Sequence, residues 1–345
     1  MLASQKSDPL VSVCIPTYNS EKTIARTVQS IINQTYSSLE IIICDNASVD
    51  NTLKIIREFE DGRINIYSNE VNIGAENNWS RCIEIAQGNY IAIYHSDDLY
   101  TPEIVEEQMR TLEGNPQVGA VFTDANRVDE RGNVCGHGKL PFRSLDKEDN
   151  KNYFFDDIFS MILRYGNFLI CPSAMVRADI YKKLAPFNYD QFGTSADLDM
   201  WLRISKHFAI SIINRPLMSY RISKNQGGFA YRYLRTYEAD FIKVMDFHLA
   251  CCSGNLNIPE NSLKYYELYK SCDKFFRSMN FLIKGDPMNA ERLLKEVLFS
   301  NLRNLSNLDH WSLVLKALFV LTMIHAGLGK YAARGYRQIK YGNCD

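Results

Sequence analysis

In the first hundred residues, short apolar runs alternate with stretches whose apolar residues recur at helical spacing. The runs are LVSVCIP, LEIIICD, INIYS and YIAIY, and three of them are rich in Val and Ile. After the first run, Ile24, Val28 and Ile31 lie at i, i+4 and i+7, on one face of a helix. Continuous apolar strands that alternate with amphipathic helices predict an α/β fold with a mostly parallel sheet covered by helices.

Three of these runs end in polar clusters, namely PTYN, DNAS and HSDD. In a parallel sheet, ligands bind at the carboxyl ends of the strands. We therefore expect the three clusters to converge on one crevice.

Asp97 and Asp98 are adjacent acids in the HSDD cluster. Mg²⁺ commonly binds one or two carboxylates together with substrate phosphates, so the pair suits a metal–diphosphate site. The alternative is that SDDLYTPE caps a helix that begins near Thr101 or Pro102. The position of the pair beside two other polar clusters favours the metal site.

The other two clusters have residues that suit a nucleoside. Asp45 and Asn46 carry acceptors and donors for the edge of a base, and Tyr18 offers a ring for stacking, with Thr17 as a polar neighbour. In each loop the alternative is a turn whose polar residues cap the next helix. One loop can do both.

The segment SADLDMWLR predicts a helix with two acids in its first turn. A carboxylate such as Asp197 at the entry of this helix can take a proton from an attacking hydroxyl. The alternative is an acid that complements the helix dipole, which we prefer for Asp199. We also expect Asp199 to pair with Arg203 at i, i+4 spacing.

Composition excludes several classes of protein. The formal net charge of −1 argues against a nucleic-acid binder, and the sequence contains no P-loop, GxGxxG or GxSxG motif. The nine cysteines form no CxxC pair, which indicates a reducing compartment and no zinc site. The six histidines show no metal-ligand spacing. His95 lies near the predicted site, where we expect a hydrogen-bonded supporting role rather than metal ligation.

Taken together, VSVCIPTYNSEKTIARTVQSIINQTY, EIIICDNASVDNT, NNWSRC, HSDD, ADLDMWLR and YRIS resemble the family 2 glycosyltransferases over residues 10–225. The resemblance implies a Rossmann-like GT-A fold and an inverting enzyme that transfers a sugar from a nucleotide donor, most often a UDP-sugar. It also implies a divalent metal, Mn²⁺ or Mg²⁺. Two other hypotheses stay open at this point: a nucleotidyltransferase, and a non-catalytic nucleotide-sugar-binding protein.

The resemblance also implies a role for individual residues. Asp98 is the implied metal ligand for the diphosphate, and Asp197 is the implied general base for the acceptor hydroxyl. Asp97 is implied to contact the ribose or the metal shell. The implied nucleotide-sugar-binding residues are Pro16, Thr17, Tyr18, Asp45, Asn46 and Asp97.

The sequence departs from the family pattern at four positions. His95 stands at the usual first Asp of the DxDD pattern. Asn46 replaces a frequent second Asp, which opens the site to a thymidine donor. Ala196 replaces the Glu of the ED motif, and Ser223 replaces a frequent His.

Residues 1–228 are predicted to be the catalytic domain, and residues 229–345 a helical region. The segment HWSLVLKALFVLTMIHAGLGKYAARGYRQIKYG is too interrupted to predict a transmembrane helix. Either it packs as an amphipathic helix or it rests on anionic lipid, close to a saccharide or lipid-linked acceptor. MLASQKSDPL lacks the apolar core of a signal peptide, so we expect a cytoplasmic protein, with peripheral membrane contact under the second interpretation.

Overall fold

The computed structural model describes residues 8–138, 140, 151–222, 234–251, 257–301 and 308–341. The chain divides into two compact units, Met1–Ser223 and Lys224–Asp345. The domain boundary that the sequence predicts, after residue 228, lies outside the described residues, as does Ser223.

The first unit is built on one mixed sheet with the strand order β3-β2-β1-β4-β9-β6-β10-β5. Strands β3, β2, β1 and β4 are parallel, and so are β6 and β10, whereas β9 is antiparallel to both of its neighbours. The predicted α/β fold is confirmed. The strands are β1 Val11–Thr17, β2 Leu39–Asp45, β3 Ile64–Ser68, β4 Tyr90–Ile93, β5 Leu99–Tyr100, β6 Val118–Val128, β7 Val134–His137, β8 Lys151–Tyr153, β9 Met175–Arg177 and β10 Ala209–Arg221.

The helices of this unit cover the sheet with their apolar faces. Helix α1 buries Ile24, Val28 and Ile31, as the spacing predicts, in the apolar core that also contains side chains of β1 and β2. These helices are α1 Ile24–Ile32, α2 Thr52–Ile56, α3 Ala75–Ile85, α4 Ile104–Gly114, α5 Phe155–Tyr165, α6 Ala178–Lys183, α7 Tyr189–Phe192 and α8 Ala196–Ser205.

The end of helix α3 differs from the prediction. The sequence favours Gly88 as its stop, but the helix ends at Ile85 and Gly88 lies against β1. A Cβ at Gly88 would come within 2.7 Å of the Ser12 nitrogen and 2.8 Å of the Leu10 oxygen. Gly88 is therefore needed for close approach of two backbones rather than for helix termination.

The second unit is helical, as predicted for this region. Helices α10 to α13 enclose an apolar core in which Phe275, Leu294, Ala317 and Ala333 take part, one from each helix. Within the described residues, no helix combines the length and apolar composition needed to span a bilayer. The helices are α9 Asp240–Cys251, α10 Glu260–Ile283, α11 Pro287–Asn301, α12 Leu308–His325 and α13 Gly329–Tyr341.

Candidate active site

The polar loops that follow β1, β2 and β4 lie together at one edge of the sheet. The three strands are parallel neighbours, so their carboxyl ends meet. The N–H of Asn46 donates to the Thr17 carbonyl at 2.9 Å, and the Ser20 and Ser96 hydroxyls lie 2.8 Å apart. The predicted convergence of the three clusters is confirmed.

The HSDD turn, residues 95–98, is held from both sides. The Thr27 hydroxyl of α1 lies 2.8 Å from the Asp98 carbonyl, to which it donates. The His95 N–H donates to the Tyr100 hydroxyl at 2.8 Å, and the Tyr100 ring stacks on Tyr94. Helix α4 begins only at Ile104, because β5 intervenes, so the two acids do not cap it.

Asp98 is fully buried and accepts a hydrogen bond from the last residue of β10. The N–H of Arg221 donates to Oδ1 of Asp98 at 2.8 Å, and its guanidinium donates to the carbonyls of Asp97, Asp129 and Glu130. Burial raises the pKa of Asp98 well above its usual range, and the nearby Asp97 raises it further. A bound cation would favour the ionised carboxylate instead.

His95, Asp97 and Asp98 form a cluster in which one ligand atom of each lies within 4.8 Å of the others. Within the described part of the chain, Oδ2 of Asp98 and Nε2 of His95 are buried without a hydrogen-bond partner. Leaving a buried polar atom unsatisfied costs about 1–3 kcal/mol, so such atoms indicate a ligand. Carboxylate oxygens and imidazole nitrogens both bind divalent cations, and the three residues fit a metal ion.

His95 lies against an aromatic ring, and its supporting role stays a prediction. No hydrogen bond to Nε2 is found among the described residues, and the ring packs on Trp79 with centroids 5.4 Å apart. Trp79 in turn makes an edge contact with Phe187 at 5.6 Å. Burial lowers the pKa of His95, which favours the neutral imidazole that ligates metals.

The loops after β1 and β2 present a second set of polar atoms. Oδ2 of Asp45 accepts from the Ser48 N–H at 3.1 Å, whereas Oδ1 of Asp45 and the Thr17 hydroxyl have no partner among the described residues. Tyr18 exposes 46% of its surface beside them, and Pro16 is buried within β1. These atoms can hydrogen-bond a ligand, and the Tyr18 ring is open for stacking.

Asn46 uses its side chain inside the protein. Its Oδ1 accepts from Asn69 at 2.8 Å and from the Ile73 N–H at 3.0 Å. Its Nδ2 donates to Asn72 at 2.9 Å and to the Gly74 carbonyl at 3.1 Å. The amide therefore fastens the loop before α3 to the end of β2, and its contact with a nucleotide stays a prediction.

The NNWSRC segment extends this network. Asn78 is buried, and its Nδ2 donates to the Cys44 carbonyl at 2.8 Å. Its Oδ1 accepts from Asn69 at 3.1 Å, and the Arg81 guanidinium donates to Asn69. The motif thus supports the loop rather than contributing another charged group to the cluster.

Asp197 lies in the first turn of α8, where its Oδ1 accepts from the Leu198 N–H at 2.7 Å. Burial raises the pKa of Asp197 to about 6. The Leu198 N–H opposes this rise, the charge of Glu76 adds to it, and a hydrogen bond from the Cys171 thiol lowers it. A carboxyl with a pKa near neutrality is suited to accepting a proton.

Cys171 is buried near the carboxylates of both Asp197 and Asp98. Burial raises the pKa of this thiol, and the charges of Asp197, Asp98 and Glu76 raise it further. All three carboxylates are therefore close enough to act on one buried sulfur.

Further along α8, Asp199 and Arg203 form the ion pair that the sequence predicts. Arg203 donates to Asp199 at 2.8 Å, so the predicted ion pair is confirmed, and Asp199 is buried in it. Ala196, which replaces the family's Glu, is buried at the start of α8. No carboxylate at position 196 holds Asp197, and the groups described above do so instead.

The functional context of Arg221, Cys171 and Glu76 could not be predicted from the sequence. Arg221 was visible within YRIS, but no spacing relates it to Asp98, which lies 123 positions earlier. Cys171 and Glu76 belong to segments whose pattern shows only burial and helix. Their proximity to Asp197 depends on how the chain folds over the sheet edge.

The family model of glycosyl transferase family 2 matches residues 12–184. This chain belongs to that family. It is a glycosyltransferase, so the family prediction is confirmed and the nucleotidyltransferase hypothesis is set aside.

Relatives of this glycosyltransferase support the assignment. An uncharacterised glycosyltransferase of Methanocaldococcus jannaschii is 33% identical over 251 residues, 68% of this chain and 82% of that protein. An Escherichia coli UDP-Glc:α-D-GlcNAc-diphosphoundecaprenol β-1,3-glucosyltransferase is 37% identical over 105 residues, 30% of this chain and 42% of that protein.

The fold of this glycosyltransferase is also found in solved structures. Staphylococcus aureus TarS 1–349 in complex with UDP-GlcNAc superposes with a TM-score of 0.57 at 18% identity. The match covers 95% of this chain and 92% of the TarS chain. At this identity the likeness shows the fold, which is the predicted GT-A fold.

Proposed function

We propose that this glycosyltransferase moves a sugar from a UDP-sugar to a hydroxyl of a saccharide or lipid-linked acceptor, with inversion at the anomeric carbon. The acceptor class is that of cell-surface polysaccharide or glycolipid biosynthesis. The E. coli relative is named for UDP-Glc as donor and a diphosphoundecaprenol-linked acceptor, and the S. aureus structure contains UDP-GlcNAc. Both support this choice of donor and acceptor.

One observation carries the proposal: His95, Asp97 and Asp98 place three ligand atoms within 4.8 Å of one another, at the sheet edge where the loops after β1 and β2 also end. The carboxyl of Asp197, whose pKa burial raises to about 6, supports it. Direct displacement of a nucleotide diphosphate needs positive charge at the leaving group and a base at the attacking hydroxyl. A cluster suited to a cation and a carboxylate suited to a base supply these two needs.

On the leaving-group side, Asp98 would hold a divalent metal, with Asp97 and His95 beside it. Mn²⁺ or Mg²⁺ bound there would supply positive charge to the diphosphate. Arg221 keeps Asp98 and the Asp97 backbone in place, so Oδ2 of Asp98, which has no hydrogen-bond partner among the described residues, is fixed before any ligand arrives.

On the acceptor side, Asp197 takes the hydroxyl proton as the acceptor oxygen forms a bond to the anomeric carbon. The bond between that carbon and the diphosphate oxygen breaks, and the nucleotide diphosphate leaves. No enzyme nucleophile takes part, so a single displacement inverts the configuration. The Leu198 N–H and the Cys171 thiol hold the carboxylate during this transfer.

On the nucleoside side, Oδ1 of Asp45 and the Thr17 hydroxyl are buried polar atoms without a hydrogen-bond partner among the described residues, and the Tyr18 ring is exposed. An acceptor-only carboxylate pairs with a base that presents a ring N–H, which both uracil and thymine do at N3. Asp97 is proposed to contact the ribose side of the donor, with Pro16 and Asn46 shaping the loops.

The test measures transfer and binding separately. Purified protein is incubated with UDP-Glc or UDP-GlcNAc, Mn²⁺ and saccharide acceptors, and UDP release is followed. A thermal-shift series with UDP, dTDP and GDP compares base preference, because a ligand of the folded state raises its stability. Stabilisation by UDP with Mn²⁺ and acceptor-dependent UDP release support the proposal. Stabilisation by GDP alone, or no nucleotide effect at all, contradicts it.

A further inference from the structure

Helix α12 is apolar on two opposite faces, and the described residues of the chain cover only one of them. One face lies in the core of the helical unit through Leu313, Ala317, Val320 and Leu321. On the other face, Leu315 exposes 60% of its surface, Leu318 47% and Phe319 62%. Large apolar patches exposed in this way mark interaction sites.

The exposed residues form a continuous stripe along the helix. Trp311, Leu315, Leu318 and Phe319 lie at i, i+4, i+7 and i+8, which places them on one side, and we call this set the apolar face. Beyond the end of α12, Leu328 exposes 41% of its surface and Tyr331 exposes 56%. Exposed apolar side chains therefore continue towards α13.

Basic side chains border the apolar face and follow it in the sequence. Residues 308–341 contain five Lys and Arg and one Asp, a formal net charge of +4 with neutral His, whereas the whole chain carries −1. Lys330, Arg334 and Arg337 are exposed on α13 at i, i+4 and i+7, and we call them the basic row. Lys316 is exposed at the border of the apolar face.

We propose that the apolar face and the basic row dock this protein on the surface of an anionic lipid bilayer. Exposed Trp, Phe and Leu beside Lys and Arg are the combination that binds such an interface. The opposite side of α12 is buried in its own unit, so the helix meets lipid with one face and lies in the plane of the surface. A second copy of the chain would bring two +4 segments together, and this repulsion favours lipid as the occupant.

The proposal does not rest on the proposed reaction. Lipid docking and UDP binding depend on different residues in different units of the chain, so each can be measured when the other fails. If both hold, the docked enzyme works at the surface where a lipid-linked acceptor is presented.

The experiment is flotation of the full chain with vesicles. Vesicles of phosphatidylcholine alone are compared with vesicles that contain about 30% phosphatidylglycerol, at low and physiological salt. The unsubstituted protein is expected to float with the anionic vesicles, and less so as salt is raised.

Two double variants test separately how the apolar side chains and the basic side chains contribute to vesicle binding. Leu315→Ser with Phe319→Ser removes apolar area, and Lys330→Glu with Arg334→Glu reverses charge; each is expected to weaken anionic-vesicle binding by about tenfold or more. Because all four side chains are exposed, thermal unfolding and UDP binding should stay unchanged.

Matched controls carry the same chemistry elsewhere. Lys182→Glu with Lys183→Glu makes the same change in charge on α6, and Val134→Ser with Met288→Ser removes exposed apolar side chains from β7 and α11. Both controls are expected to float like the unsubstituted protein. Equal binding to neutral vesicles, or equal losses in controls and test variants, overturns the proposal. A homodimer that Leu315→Ser and Phe319→Ser disrupt, without any vesicle binding, overturns it as well.

Discussion

The N–H of Arg221 donates a 2.8 Å hydrogen bond to Oδ1 of Asp98, and Oδ2 of the same carboxylate has no partner among the described residues. The last residue of β10 therefore fixes the orientation of an acid in the turn after β4. Because the guanidinium of Arg221 also holds the Asp97 carbonyl, the turn is set before a ligand binds. Preorganisation of this kind reduces the free energy lost when a metal and diphosphate are bound.

Asp197→Asn is expected to reduce sugar transfer by about two orders of magnitude or more, because the amide cannot accept the hydroxyl proton. UDP affinity should stay within about twofold, since Asp197 is proposed to act on the acceptor. Steady-state kinetics with calorimetric UDP titration measure both. Asp190→Asn, at an exposed position of α7, is the matched control. Near-normal transfer by Asp197→Asn would mean that another group is the base.

The pH dependence of transfer should report the environment of Asp197. Only the ionised carboxylate accepts a proton, so a pKa of about 6 predicts that kcat/KM falls as pH drops through about 6. An exposed Asp would keep its charge down to about pH 4. Since the charge of Glu76 adds to the pKa of Asp197, Glu76→Gln should move the acidic limb to lower pH.

Glu84→Gln is the control for that shift, because Glu84 is exposed on the same helix. Its pH profile should match that of the unsubstituted enzyme. An acidic limb that stays in place in Glu76→Gln, or that moves equally in both variants, would contradict the electrostatic account.

His95 should influence which metal is bound. Mg²⁺ prefers all-oxygen ligands, whereas imidazole suits transition metals, so a site that contains Nε2 of His95 is expected to prefer Mn²⁺. His95→Asp should reduce the ratio of Mn²⁺ to Mg²⁺ affinity by about tenfold. Pulsed EPR of bound Mn²⁺ should show nitrogen coupling in the unsubstituted protein and none in His95→Asp. His207→Asp, at an exposed position, should leave both results unchanged.

Asn78 is expected to matter for stability rather than for chemistry. Asn78→Ala removes the hydrogen bonds to the Cys44 carbonyl and to Asn69 and leaves buried groups unsatisfied, at a cost of about 1–3 kcal/mol in unfolding free energy. The neighbouring Asn77 is exposed, so Asn77→Ala should cost less than about 0.5 kcal/mol. Chemical denaturation measures both. Equal effects of the two substitutions would rule out the network role of Asn78.

The sequence predicted four of the ten strands in the described part of the chain, β1 to β4, and three of these, β1, β2 and β4, are buried on both sides. Continuous apolar runs such as LEIIICD are typical of strands that are buried on both faces, and the polar residues after these runs identified the loops of the site. Helix bounds were less accurate: α2 spans five residues, although SVDNTLKIIREF has the pattern of a longer helix. The helix-cap interpretation of Asp97 and Asp98 failed because a two-residue strand, β5, pairs with β10.

Contacts between segments that are distant in the sequence could not be predicted from it. The contact of Cys171 with Asp197 and the bond from Arg221 to Asp98 follow from how segments more than twenty residues apart pack at one edge of the sheet. The contact of the His95 ring with Trp79 likewise could not be predicted from the sequence, and the supporting role of His95 stays a prediction. Periodicity reports which face of an element is buried, and it does not report what lies against that face.

The most direct test of the account is calorimetric titration of UDP with and without Mn²⁺, in the unsubstituted protein and in Asp98→Asn. Asp98 is proposed to hold the metal that binds the diphosphate, so Mn²⁺ should strengthen UDP binding in the unsubstituted protein by about tenfold or more and leave Asp98→Asn unaffected. Asp190→Asn should retain the full Mn²⁺ effect. If Asp98→Asn folds normally and Mn²⁺ strengthens its UDP binding as much as before, Asp98 does not hold the metal and the central claim is wrong.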